Sequence, residues 1–308
     1  MFAKIRLHTA LFLVSLIYAG TYSLAKDIMP RYMLPLGIVT LRIAGAALFF
    51  TLVKRLVAPQ DKILGRADNM RAIACGLLGI AFNQLSFFAG LNLTTPINAS
   101  LLQTISPIVV VLASAVLLKD KITPRKLIGV GLGAAGAAAL ILSRPSNGTQ
   151  AKDALLGNVF LLVNAAVFGL YLVLVAPLMR KYHAFTVLAR IFVVGAIVAI
   201  PVGLPQAMAA DYSSFPLYIW GEIGYMVFFL TILAYLLNNW ALKYATPALL
   251  GVYIYLQPVL AVLIAVATGK DALTWDKAWQ AALIFVGVWL VSSRAKPAPV
   301  PAEALAQE

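Results

Sequence analysis

"TPINASLLQTISP" (residues 95–107) and "TPALLGVYIYLQP" (residues 246–258) are one pattern met twice. They stand 151 residues apart, with Thr95-Pro96 opposite Thr246-Pro247 and Pro107 opposite Pro258. The same register pairs Val111-Leu112 with Val262-Leu263, Lys119-Asp120 with Lys270-Asp271, Thr123 with Thr274 and Gly136 with Gly287. Earlier in each half the register drifts by two or three residues. There "LRIAG" meets "ARIFV", setting Arg42 opposite Arg190, and "AGTYS" meets "FGLYL", setting Gly20 opposite Gly169 and Tyr22 opposite Tyr171. A repeat on this scale makes one half of the chain a copy of the other. The expected division is 1–150 and 151–295, followed by a Pro/Ala-rich polar tail, 296–308, read as disordered and cytoplasmic.

The copies are built for lipid. Of the 308 residues, 62% are hydrophobic and only 11% charged, and the mean hydropathy is +0.92. A soluble domain of this size needs far more charge to cover its surface. Apolar windows of about 20 residues give ten spans, near 9–25, 33–53, 72–91, 96–118, 125–143, 155–178, 184–203, 217–242, 246–268 and 274–293. The expected fold is therefore an all-α integral membrane protein with ten transmembrane helices in two five-helix repeats. Five is odd, so the second repeat enters the membrane inverted relative to the first. Charge agrees independently: "KDKITPRK" after span four carries four basic residues, and its counterpart "KDALTWDK" after span nine carries two, balanced by two aspartates. With both termini inside, 16 Lys and Arg fall on inner segments and 6 on outer ones, as the positive-inside rule asks. The net charge of +13 is thus an orientation signal. The basic, apolar N-terminus has the outline of a secretory signal, but it runs on past a cleavage-like site and has a counterpart in the second half. It reads as the first span.

Several classes drop out. Cys75 is the single cysteine, and His8 and His183 lie far apart, so neither a disulfide framework nor a metal cluster is expected. No basic-aromatic patch points to nucleic acid. No phosphate loop, nucleotide-binding domain or catalytic triad appears, so the chain reads as a non-enzyme without cofactors. Inverted repeats with a site near the midplane are characteristic of secondary transporters.

Two five-span halves, the TP-x10-P pattern, an acidic residue plus Thr after spans four and nine (Asp120/Thr123 and Asp271/Thr274) and a glycine-rich fifth span resemble the drug/metabolite transporter superfamily. The EamA-type branch fits best. Family members usually carry Glu where this chain has Asp120 and Asp271, a swap that keeps the charge. The resemblance implies a ten-helix exporter of the bacterial inner membrane. Its central cavity would be lined by spans one to four and six to nine, with spans five and ten peripheral.

Candidate site residues follow from depth and polarity. Pro107 lies about 16 Å into span four at ~1.5 Å per residue. There a proline removes an N–H and displaces the carbonyl of Gln103, and Pro258 does the same to Ile254. Such breaks are tolerated where protein or a water-filled cavity supplies partners. Gln103 and Thr104, with Tyr253, Tyr255 and Gln257 in the second copy, are the leading substrate contacts; helix–helix hydrogen bonding is the competing use. Ser100 reads as helix glue, and Asn98 as a contact at the outer mouth or a cap. Asn83 and Gln84 are adjacent, so they are expected on different faces. Asn164 is near mid-span, and Tyr22 and Tyr171 share a depth at which either could stack on a substrate or serve as an interfacial belt. Arg42 and Arg190 are buried-charge candidates that would suit a substrate carboxylate in either access state, or else carbonyls or lipid headgroups. Glu222 is an acidic side chain within a span and so the candidate for proton coupling, against the plainer role of a solvated interfacial residue. Gly129, Gly133 and Gly136 form a small-residue stripe that serves either packing within a monomer or a homodimer contact. The expected partners are a small-molecule substrate and membrane lipids. The competing function is a channel or lipid scramblase using the same polar path.

Overall fold

A computed structural model describes residues 2–117, 123–142, 153–245, 247–254, 256–269 and 272–292. The fold is all-helical among these residues, and ten rods can be followed. They are α1 (Phe2–Ile28), α2 (Pro35–Val57), α3 (Arg66–Leu93), α4 (Pro96–Leu117), α5 (Pro124–Leu142), α6 (Ala154–Lys181), α7 (Ala184–Met208), α8 (Leu217–Tyr244), α9 (Pro247–Ile254 and Leu256–Ala267) and α10 (Trp275–Ser292). Seven are long and apolar enough to cross a membrane by length and composition, and α5, α9 and α10 contain shorter apolar helices. A row of exposed apolar side chains, among them Leu48, Val116, Ile197, Leu263 and Trp289, covers the outside as a lipid-facing surface requires.

The starts of the rods follow from sequence. Proline opens α2, α4, α5 and α9, where its missing N–H costs nothing. The Thr95 hydroxyl caps α4 by accepting from the Asn98 N–H (3.3 Å), and Asp153 Oδ1 caps α6 by accepting from Leu156 N–H (3.1 Å). The N-terminal segment is one unbroken helix whose Leu11 and Val14 are buried and which packs along α9.

Two closely packed pairs frame the molecule, α2 against α7 and α5 against α10. A Cβ on Gly203 would collide with the Leu36 carbonyl and the Thr40 hydroxyl, so α7 meets α2 at van der Waals distance of its backbone. Gly287 sits as tightly on Gly129 and Gly133. The glycine stripe of α5 is thus occupied within the chain. Between the pairs, α1 packs on α9 and α8 while α6 packs on α4 and α3. Exchanging the first five helices for the last five leaves this pattern unchanged.

Three departures from regular helix lie in the interior. In α4 the chain turns tightly at Thr104–Ile105: Thr104 N–H reaches Leu101 O (3.1 Å) and Ile105 N–H reaches Leu102 O (3.1 Å) before Ser106 restarts the helix. This is the break that Pro107 demands. In α9 the corresponding residue, 255, lies outside the described residues. The other two departures have no proline: α3 is π-helical over Leu77–Phe82 and α8 over Met226–Leu233. They begin at equivalent positions, in the register that pairs Tyr22 with Tyr171.

Candidate functional site

The irregular turns surround a central cavity, lined from α1 (Tyr18, Tyr22), α2 (Arg42), α3 (Asn83, Gln84, Phe87, Phe88), α4 (Gln103), α6 (Asn164, Phe168), α8 (Leu230, Tyr235) and α9 (Gln257). Its volume is about 40 Å³, room for very few water molecules.

Each π-helical stretch offers a backbone carbonyl to a side chain from the other half. The Met226 carbonyl, first in the α8 stretch, accepts from Arg42 Nε (3.2 Å) and from the Thr231 hydroxyl (2.7 Å). Arg42 Nε also donates to Thr231 Oγ1 (2.8 Å), and its guanidinium lies 4.6 Å over the Phe88 ring. In α3, the Gly79 carbonyl accepts from the Tyr235 hydroxyl (2.9 Å), which also reaches Asn83 Oδ1 (3.3 Å). Wide turns are often found at functional sites because they free a carbonyl without ending the helix.

The hydrogen-bond inventory of the cavity is incomplete. Arg42 is only 3% exposed and has no carboxylate partner among the described residues. Its hydrogen bonds to Met226 and Thr231 are made through Nε, and the side chain lines the cavity. Both polar atoms of the buried Gln84 amide lack a hydrogen-bond partner, as do Gln103 Oε1 and Asn164 Oδ1. The other ends of the last two are tied: Gln103 Nε2 to Ser106 Oγ (3.4 Å), Asn164 Nδ2 to the Asn83 carbonyl (2.8 Å). Unpaired polar groups in a closed interior are costly, and an unpaired cation more so. A bound molecule carrying an anionic group and hydrogen-bond donors would satisfy them, with Phe87, Phe88 and Phe168 facing its apolar part.

A second, narrower void shares Tyr18, Phe168 and Gln257 with the first and continues between α1 and α9. The Ser15 hydroxyl donates to the Tyr253 carbonyl (2.8 Å), and His8 Nδ1 meets the Tyr253 hydroxyl (2.6 Å). These two bonds tie α1 and α9 together there.

The structure brings Arg42, Asn83, Gln84, Gln103, Asn164, Tyr22 and Gln257 to one cavity. Tyr22 donates to Gln257 Oε1 across it (3.4 Å). Asn83 and Gln84, expected on different faces, both line the cavity. Successive residues diverge by only about 100°, and a cavity enclosed by seven helices takes in both. Other candidates lie elsewhere. Thr104 Oγ1 donates to its own helix at Leu101 O (2.6 Å), and Asn98 Nδ2 contacts Thr94 Oγ1 (3.5 Å). Tyr171 is behind the wall, donating to Asn239 Oδ1 (2.9 Å) with its ring against Gly79. Tyr253 belongs to the second void, and Tyr255 lies outside the described residues. Pro107 is buried at the α4 restart, and Pro258 is buried in α9. Glu222 is half-buried near the start of α8 and does not line the cavity. The symmetry expected of the two arginines does not hold: Arg42 is enclosed, while Arg190 is exposed in a surface cleft.

Tyr18, Tyr235, Phe88, Phe168, Leu230 and Thr231 were not foreseen. A signal existed for some. Tyr18 stands one turn before Tyr22, and Tyr235 stands one turn before Asn238 and Asn239 on a polar stripe. Thr231 carried none, as a lone hydroxyl in an apolar run.

Known proteins share this design. The model of the EamA-like transporter family matches the chain twice, over residues 7–142 and 155–293. An uncharacterized transporter of Bacillus subtilis (strain 168), YyaM, is 26% identical over 282 residues, covering 90% of each chain. An uncharacterized transporter of Archaeoglobus fulgidus is 28% identical over 218 residues, covering 71% of this chain and 74% of its own. A solved crystal structure aligns with a TM-score of 0.62 at 21% identity, covering 94% of this chain and 97% of that one, a likeness of fold. With both halves of the helical bundle matched, the chain belongs to the EamA-like transporter family and is a multi-pass membrane protein.

Proposed function

We propose that this chain is a secondary active transporter exporting small organic metabolites that carry a carboxylate, amino acids and related solutes foremost, by alternating access. It would work in the bacterial inner membrane with both termini cytoplasmic, without enzymatic chemistry of its own. The observation that carries the reading is Arg42, a buried cation without a carboxylate partner among the described residues, beside unpaired amide atoms. A substrate carboxylate completes the guanidinium fork. An ammonium or other donor satisfies Gln103 Oε1 and Asn164 Oδ1, and an apolar side chain lies along Phe87, Phe88 and Phe168. Rocking of the two inverted halves about the α4 break would expose the cavity to one face and then the other. Glu222 would sense a proton gradient from the bundle surface, outside the substrate cavity.

Counterflow in proteoliposomes tests this. Labelled amino acids and other organic acids are screened with and without unlabelled solute on the far side, and with and without a pH gradient. A carrier shows saturable flux accelerated by trans solute. Flux that neither saturates nor responds to trans solute makes the protein a channel, and lipid flip-flop in the same vesicles makes it a scramblase.

A further inference from the structure

A second polar concavity lies at the basic end of the bundle, away from the central cavity. It is an open cleft of about 370 Å³ formed where α2 ends, α3 begins and α7 passes. We propose that this cleft binds the phosphate headgroup of an anionic phospholipid. Lys54 and Thr51 come from α2, Asp61 and Lys62 from the following loop, Thr186 and Arg190 from α7. Lys62 and Arg190 are exposed and make no hydrogen bond or ion pair among the described residues. Lys54 Nζ is held at the rim by the Pro59 carbonyl (3.1 Å). The one carboxylate, Asp61, is turned to the start of α7, where its Oδ2 accepts the His183 N–H (2.8 Å). Three cations against one anion leave the cleft positive. Thr186 is 6% exposed, and its hydroxyl has no hydrogen-bond partner while lining the cleft, a donor available to a phosphate oxygen.

The surroundings favour a lipid over a soluble anion. One turn beyond Thr51, toward the middle of α2, Leu48 is 63% exposed; one turn beyond Val193, a cleft residue of α7, Ile197 is 70% exposed. By helical periodicity both continue the cleft's own faces, so an apolar track for acyl chains starts where the basic cleft ends. Basic pockets between helices at a membrane face are suited to anionic headgroups.

Native mass spectrometry of the full chain in detergent, titrated with phosphatidylglycerol or phosphatidylcholine, tests the proposal. Phosphatidylglycerol adducts should exceed phosphatidylcholine adducts, and Lys62→Gln with Arg190→Gln should weaken the former by about fivefold per side chain removed. Lys62→Arg with Arg190→Lys should retain binding, which separates lost charge from lost fold. Lys243→Gln, a basic change outside the cleft, should leave it unaltered. Equal binding of the two lipids, or unchanged phosphatidylglycerol binding in the double Gln variant, overturns the site. Displacement of phosphatidylglycerol by excess inorganic phosphate overturns the lipid assignment in favour of a soluble anion. The readout is lipid binding alone, so it stands or falls apart from the transport reading.

Discussion

Arg42 is where the protein departs furthest from what stability alone would select. A guanidinium with no carboxylate beside it raises the energy of the empty fold, so its removal should not harm folding. Arg42→Gln is expected to keep or raise the melting temperature in detergent while raising the KM for a transported carboxylate by at least ~30-fold, the equivalent of about 2 kcal/mol. Arg42→Lys should recover little, because an ammonium cannot bind Thr231 and Met226 through one nitrogen and a carboxylate through two others. Thermal melts and counterflow on the same preparations check both. Arg42, Gln103 and Gln257 were legible in the sequence because polar groups inside apolar runs are rare and must have a use. Tyr18 and Tyr235 were only faintly legible, one turn from polar neighbours, since a tyrosine in a membrane helix is usually an interfacial anchor and the assembled neighbours are what place it at the cavity.

Helix irregularities differ in how much they reveal themselves. The α4 break was written in Pro107, whose ring excludes the regular hydrogen bond to the Gln103 carbonyl. Because Pro107 stands in the first turn of the helix restarted at Ser106, where its missing N–H costs little, Pro107→Ala should change the melting temperature little while loosening the geometry of the break. Turnover should fall, if the bend is a hinge, and a rise in flux would remove that role. The π-helical stretches of α3 and α8 carry no such mark: "LLGIAF" and "MVFFLTIL" are ordinary apolar sequence, and only Tyr235 and Arg42 arriving from other helices give the wide turns a use. The start of α7 adds a pH dependence. His183 Nδ1 caps the helix by accepting from Phe185 N–H (3.4 Å). Burial holds its imidazole below the usual histidine value, with Lys243 pushing the same way and Asp61 opposing. The unfolded chain therefore takes up this proton more readily than the folded one. The stability penalty is absent above the ordinary value near 6.5 and grows as the pH falls below it. His183→Asn keeps a capping side chain and should flatten the melting temperature of the wild type in that acidic range.

At the scale of the molecule, the repeat in the sequence foretold ten rods, but not the exchange of contacts that makes α2–α7 and α5–α10 its two seams. Periodicity places helices along the chain and is silent on which faces meet; Gly203 and Gly287 show it only once a neighbour's backbone lies against them. Gly203→Val should cost about 1–3 kcal/mol by overpacking at the Leu36 carbonyl, read as a lower melting temperature with loss of folded yield. Across the basic end, Asp68 ties the two halves by accepting from Lys181 (2.6 Å) and from the Tyr182 hydroxyl (2.8 Å). The central cavity itself is small, about 40 Å³, with room for very few water molecules. On the proposed cycle, a substrate larger than those waters would enter by pushing the lining helices apart, so that binding and widening of the cavity would be a single event.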